Sequence, residues 1–437
     1  MKRTFALQFP LLVILAASLA CAGTAATPPD SGGQEQATPV KEQSAPADAP
    51  SMDEAAASFY ASDYETALAS VNAILQADPD NVEALSLRGL ISFRFEDSVD
   101  SGRADVDRAL DLNANSAWAH AANAWYYGAI EGDLDTALAE GQKAADLDPG
   151  LPVAYRMIGA AYAEMGDLES SVDAYNQVLA LYPDYIAVLD NQGWNYYDLG
   201  DAEKTRDTFQ HLVELDPLNS DAYIGLGSGY EMLGDLDGAL DAYEGAVSAD
   251  PENPYAYWNR GYTYVGVGRY EDALADYDHA IDLGVDDPGI YGDQGWAYEN
   301  LGDPDSALAD YQTWVDQDGG NPDALNALAY SLAVYGGDLD QALTLINQAL
   351  DIVPGDLYYT DSKAYILYKQ GDPDGAEALF QQVLDGGEPY SNYGLGLIYQ
   401  DRGQNDQAIA YYNAFLDAYP DDLNADDAQQ RLGALGA

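Results

Sequence analysis

The stretch Tyr223-Ile224-Gly225-Leu226-Gly227, continued by Tyr230, Gly234, Ala239, Tyr243, Ala246 and Pro251, decides how this chain folds. Gly234 belongs to a series, Gly132, Gly166, Gly200, Gly234, Gly268 and Gly302, in which every interval is 34 residues (166 − 132 and onward). A unit of that length holds two helices and two turns but cannot bury its own apolar face, so it must stack on its copies.

Other residues keep step with the turn glycine. Seven positions earlier stands a second small residue (Gly159, Gly193, Gly227, Gly261, Gly295), and three after that an aromatic (Tyr162, Tyr196, Tyr230, Tyr264, Tyr298). These offsets share one face of a first helix, A. Beyond the turn, a small residue (Ala137, Ser171, Ala239, Ala273, Ala307) precedes a ring four positions on (Tyr175, Tyr243, Tyr277, Tyr311), which defines a second helix, B. Small beside large is what close helix packing needs. Aspartate after the glycine (Asp133, Asp167, Asp201, Asp235, Asp303) is placed to cap helix B, and Pro149, Pro183, Pro217 and Pro251 close it.

The pattern resembles the tetratricopeptide repeat (TPR) family, whose Leu-Gly, Tyr, Gly, Ala, aromatic and Pro positions are matched in the stretch quoted above. The resemblance extends over residues 51–420 and implies an all-α, right-handed superhelical solenoid of about eleven helix-turn-helix repeats. Local departures are expected at Thr205 in helix B, at Tyr330 and Ala364 in place of the helix A glycine, and at Gly337 and Gly403, where the spacing slips to 35 and 32. Around residues 96–104 the turn glycine is missing. Residues 421–437 are expected to form a capping helix in which Leu432 and Leu435 cover the last repeat.

The N-terminus carries different information. Lys2 and Arg3 precede a largely apolar run from Phe5 to Ala20, the layout of a secretory signal. Cys21, the sole cysteine, follows directly, and Leu19-Ala20-Cys21 resembles a bacterial lipobox, which implies a lipid on that thiol; an ordinary signal with a chance cysteine is the alternative. The domain reading is therefore a signal peptide over 1–21, a tether over 22–50 too poor in large apolar residues to fold, the solenoid over 51–420 and the cap over 421–437. Secretion across a bacterial inner membrane and anchoring at the cell envelope are the expected location.

Charge limits the partners. With 75 acidic and 17 basic residues the net charge is −58, which repels nucleic acid and anionic headgroups and favours a neutral or basic protein or peptide. Membrane contact is expected only through the lipid. The three histidines, His120, His211 and His279, are isolated from one another, and no Cys pair, His-Glu-x-x-His or phosphate-binding Gly-Lys-Ser/Thr loop is present. No catalytic, cofactor-binding or metal-binding residues are assigned, and a non-enzyme is expected.

The resemblance implies that helix A positions two, five, nine and twelve, counting its glycine as eight, point to an inner face. On this chain they include Trp194, Tyr197, Tyr255, Trp258, Tyr262, Trp296, Glu299, Tyr365 and Tyr393 as a candidate partner-binding groove, with Tyr358, Tyr368 and Tyr390 beside them. Packing between A helices is the competing role for these rings. Family members that grip acidic carboxyl tails use Lys, Arg and Asn here. Asn123, Asn191 and Asn259 fall at position six, but only Arg156 brings a cation to position five, so that clamp is not expected. The function expected is a protein-interaction scaffold. Alternatives are a carbohydrate or cell-wall binding module and a non-catalytic subunit of an envelope enzyme or assembly complex.

Overall fold

The computed structural model describes residues 50–95, 98–420, 422 and 424–436. Residues 1–49, on which the readings of a signal peptide, of Cys21 as a lipid site and of a tether fall, lie outside them. The described residues form twenty-three α-helices and no strand. Twenty-two helices pair into eleven hairpins, at 52–77, 82–112, 117–147, 152–181, 186–215, 220–249, 254–282, 289–317, 322–352, 357–385 and 389–418, and helix Ala425–Leu435 follows. The fold is an all-α TPR-type repeat solenoid. The chain divides into two compact units, 50–314 and 315–436.

Two series of glycines build the hairpin for different reasons. The turn glycines at 132, 166, 200, 234, 268, 302, 336, 371 and 403 all have φ between 68° and 86°. A Cβ on any of them would touch nothing within 4 Å, so conformation alone demands glycine there. The helix A glycines are ordinary helical residues. A Cβ on Gly159, Gly193, Gly227, Gly261, Gly295 or Gly396 would lie 2.4–2.8 Å from the ring of Tyr175, Phe209, Tyr243, Tyr277, Tyr311 or Tyr412 respectively. Space demands glycine at these positions. Beyond each turn, aspartate accepts the backbone N–H three residues on: Asp63, Asp133, Asp167, Asp201, Asp235, Asp303, Asp338 and Asp372 do so at 3.0–3.2 Å.

Two details correct the sequence reading. The left-handed residue of the ninth hairpin is Gly336, not Gly337, so the 34-residue interval survives (336 − 302) and Gly337 is an extra turn residue before the cap Asp338. Seven residues before Gly336 stands Ala329, fully buried, so the small residue is kept and Tyr330 falls at position nine. In the third hairpin the A helix, Ala117–Trp125, continues as a π-turn, Tyr126–Ile130. The π-turn absorbs one residue, and Ala124 rather than Trp125 is buried.

In the unit 315–436, Leu432 is buried and Leu435 half-buried in a cluster with Leu397, Tyr412 and Phe415. In the unit 50–314, the first hairpin turns on Ser62, the single non-glycine residue with positive φ (62°) among the described residues.

Ser62→Gly is expected to raise stability by about 1 kcal/mol, and Gly234→Ala to lower it by about as much, through backbone strain alone. Gly227→Ala keeps a helical backbone yet is expected to lose about 2 kcal/mol by overpacking against Tyr243. Urea midpoints of the three variants check the order.

Candidate functional site

The helix Pro254–Gly266 shows how the ring face is made. Asn253 caps it, accepting from the Tyr255 N–H at 3.0 Å, and Pro254 fixes its first turn. Tyr255, Trp258 and Tyr262 then recur on one side. Tyr255 is half-buried, lies nearly parallel to Trp258 at 6.2 Å, and donates its hydroxyl to Asp286 at 2.5 Å. Trp258 is only 5% exposed; its Nε1–H donates to Asp293 at 2.7 Å and its ring reaches Gly289 at the start of the next A helix. Both rings therefore tie their hairpin to the one that follows.

The remaining predicted residues are half-buried. Trp194 meets Phe209 edge-on at 5.0 Å and Tyr197 at 5.7 Å. Trp296 meets Tyr270, on helix B of the preceding hairpin, at 6.4 Å, and Glu299 lies on the same helix as Trp296. Tyr197 and Tyr262 come together electrostatically with Glu231 and Asp293 between the hairpins 186–215 and 289–317. In the other unit, Tyr365 packs on Tyr330 at 5.4 Å and on Tyr368 at 6.3 Å. Tyr393 packs on Phe415 at 5.4 Å and donates to Asp427 at 2.7 Å. The structure thus brings Tyr197, Tyr262 and Trp258 to one locality and leaves Tyr365 and Tyr393 to a set of their own.

Carboxylates among these rings escaped the sequence reading. Asp190, Glu231, Asp293 and Asp361 occupy helix A positions five, twelve, six and five, yet acidic residues are so abundant that none stands out. Glu231 accepts from Tyr243 at 3.0 Å and from Thr263 of the next hairpin at 2.6 Å. Asp361 accepts from the Ser391 hydroxyl. Arg156, the one cation at position five, is buried beneath Trp125 (4.7 Å) and beside Tyr185 (5.7 Å), so its charge is spent within the packing. The histidines stay apart: His120 pairs with Glu140 (2.5 Å), His211 with Asp184 (3.3 Å), and His279 packs on Tyr257 (4.3 Å). Among the described residues, no three His, Cys, Asp or Glu side chains are placed to hold a metal, and no helix is long and apolar enough to cross a membrane.

The tetratricopeptide repeat family matches residues 52–117, 191–254, 230–290, 258–322, 293–357 and 361–423, and a second tetratricopeptide repeat description matches 154–185. The chain belongs to this family. A TPR repeat-containing protein of Methanocaldococcus jannaschii is 30% identical over 89 residues, 20% of this chain, and the chain covers only 16% of that relative's length. The crystal structure of a tetratricopeptide repeat protein from Parabacteroides merdae aligns with 57% of this chain and 97% of its own at 16% identity and a TM-score of 0.48. Cut9-Hcn1, a hetero-tetramer of APC/C, aligns with 87% of this chain and 82% of its own, again at 16% identity and 0.48. MamA aligns with 38% of this chain and 92% of its own at 26% identity and 0.35. TPR proteins bind protein or peptide partners, and the TPR fold is typically a non-catalytic scaffold.

The TPR ring face holds its acids under strain. Burial pushes Asp293 up to about 7, against the Trp258 bond, with the charge of Asp287 adding to the rise. Burial, and then the charge of Asp221, push Asp190 up to about 6. Burial likewise raises Asp361 to about 7 and lifts Glu231 above its usual range. An acid whose folded pKa is raised holds its proton more tightly when native, so its stabilising contribution is complete below about pH 4 and is lost as pH rises through about 7. Stability is therefore expected to fall between pH 5 and pH 8. Asp293→Asn keeps an acceptor for Trp258 and is expected to gain on the order of 1–2 kcal/mol at pH 8 and little at pH 5, as read from urea midpoints at the two values.

Proposed function

We propose that this TPR protein is a non-catalytic scaffold of the bacterial cell envelope, exported across the inner membrane and held by a lipid on Cys21. On this reading it receives a neutral or basic protein segment along the A-helix face of residues 186–301. One observation carries the reading: consecutive A helices bring tyrosine and carboxylate side chains together on that face, at Tyr197, Glu231, Tyr262 and Asp293, and half-buried Trp296 stands on the same helix as Asp293. Rings give contact area at low entropic cost, and carboxylates give sign. The net charge of −58 steers a basic partner from a distance, an attraction that salt weakens.

A sugar-stacking role has less support. Trp258 is buried and Trp194 is edge-on to Phe209, so neither offers a whole open face.

A photo-crosslinking residue in place of Tyr197, Tyr262 or Trp296 of the full chain, expressed in a bacterium, tests the face. Adducts are expected from these positions, and not from Asp241, which is exposed on helix B. They are expected to fade as salt rises. Equal adducts from Asp241, or none from the A-helix positions, overturn the assignment. Cys21→Ser is expected to move the protein from the membrane to the soluble fraction, and unchanged fractionation removes the lipid anchor.

A further inference from the structure

Where helix B carries a tyrosine at this position, as at Tyr175, Tyr243, Tyr277, Tyr311 and Tyr412, the ring passes the A-helix glycine towards the ring face, and its hydroxyl needs a partner. Tyr243 finds Glu231 at 3.0 Å and Tyr412 finds Gln400 at 2.7 Å, both at position twelve of their own A helix. In the hairpin 254–282 position twelve is Val265, which has no side-chain acceptor. The hydroxyl of Tyr277, a residue 0% exposed, accordingly has no hydrogen-bond partner. An unsatisfied buried hydroxyl is costly, and native structures keep few of them.

What that hydroxyl faces is acidic. It feels the charges of Asp293, Asp276 and Glu231 and lies near the hydroxyl of Tyr262. The helix Pro254–Gly266 locates the whole group: Trp258 holds Asp293, Gly261 admits the Tyr277 ring, Tyr262 stands beside it, and Thr263 holds Glu231. Asp293 uses Oδ2 for the indole, and its Oδ1 receives no donor from the described residues. Among those residues no Lys, Arg or His pairs with Glu231 or Asp293. Asp276, on the B helix of the same hairpin, is by contrast matched by Arg260 at 2.8 Å. Two recessed carboxylates without a cation are an unfavourable arrangement in an isolated chain. They become a favourable one when a ligand brings the charge.

We infer that Asp293, Glu231 and the Tyr277 hydroxyl form a pocket for the primary ammonium of a lysine side chain, walled by the rings of Tyr197 and Tyr262. Three acceptors meet the three N–H groups of an ammonium, and ring faces favour a cation that has left water. Tyr197, Glu231, Tyr262 and Asp293 are all half-buried, so the group is approached from the ring face with the Tyr277 hydroxyl at its floor. The inference rests on the reading of this face as the one that takes a basic segment, and it names the residue type of that segment.

The test uses the full chain labelled with nitrogen-15 and follows the Trp258 indole resonance, assigned by its loss in Trp258→Phe. Blocked lysine, N-acetyl-lysine N-methylamide, is expected to shift that resonance saturably. The norleucine analogue, which keeps the hydrocarbon and lacks the charge, is expected to leave it in place. Asp293→Asn and Glu231→Gln should each weaken the lysine probe about tenfold, a typical loss for one charged hydrogen bond. Tyr277→Phe should weaken it about threefold while leaving the urea midpoint no lower, since it removes an unsatisfied group and keeps the packing ring. Asp237→Asn removes the same charge from an exposed site and should leave the affinity unchanged. A shift that does not saturate, an equal response to norleucine, or an equal loss in Asp237→Asn overturns the pocket. If adducts form on the A-helix face but the lysine probe fails, the pocket falls and the scaffold reading stands. If the probe binds through Asp293 and no adduct forms, the pocket stands and the scaffold reading falls.

Discussion

The contact between a B-helix ring and an A-helix glycine, with Tyr243 on Gly227 as the plainest case, is the constraint on which the rest of the structure depends. It fixes how closely the two helices of a hairpin approach, and thereby which A-helix positions turn away from helix B. Those positions become the ring face. The same contact carries the tyrosine hydroxyl through to that face, so core packing and surface chemistry are set by one side chain. A larger residue at 227 would displace the ring and the acceptor geometry around Glu231 together.

Between hairpins, the union is a mixture of rings and charged hydrogen bonds. Tyr255 on Asp286, Trp258 on Asp293 and Thr263 on Glu231 each cross from one A helix towards its neighbour in the unit 50–314. Tyr368 on Asp401 and Tyr393 on Asp427 do the same in the unit 315–436. Carboxylates that would ordinarily face water are drawn into the stack by hydroxyl and indole donors. Part of the aspartate excess is thus structural at its inner edge, and Asp293, whose second oxygen receives no donor from the described residues, is where a partner's charge has a place to go.

The repeat, the helix boundaries and the aspartate caps were legible in the sequence because each depends on a local rule repeated many times: φ at Gly234, space at Gly227, an oxygen at Asp235. Position counting also nominated the rings of the candidate face. It failed where the count itself slipped. Taking Gly337 for the turn residue misplaced Tyr330, because two adjacent glycines look alike until φ is known, and only Gly336 is left-handed. Trp258 was legible as a ring at position five but not as a buried one, since its burial depends on Gly289 and Asp293 more than thirty residues away. The acids were invisible for the opposite reason. Among 75 of them, Asp293 carries no local mark of its surroundings.

The ninth and third hairpins show two ways of hosting an additional residue. Gly337 sits in the bend outside both helices, whereas the π-turn at Tyr126–Ile130 takes its guest inside helix A and still delivers an alanine to the seam. Duplicated genes gain and lose codons, and a stack of identical parts would be expected to drift out of phase as they do. Here the slack is confined to places that do not set the spacing of neighbours, so inherited length errors remain private to one copy and the copies on either side keep their seats.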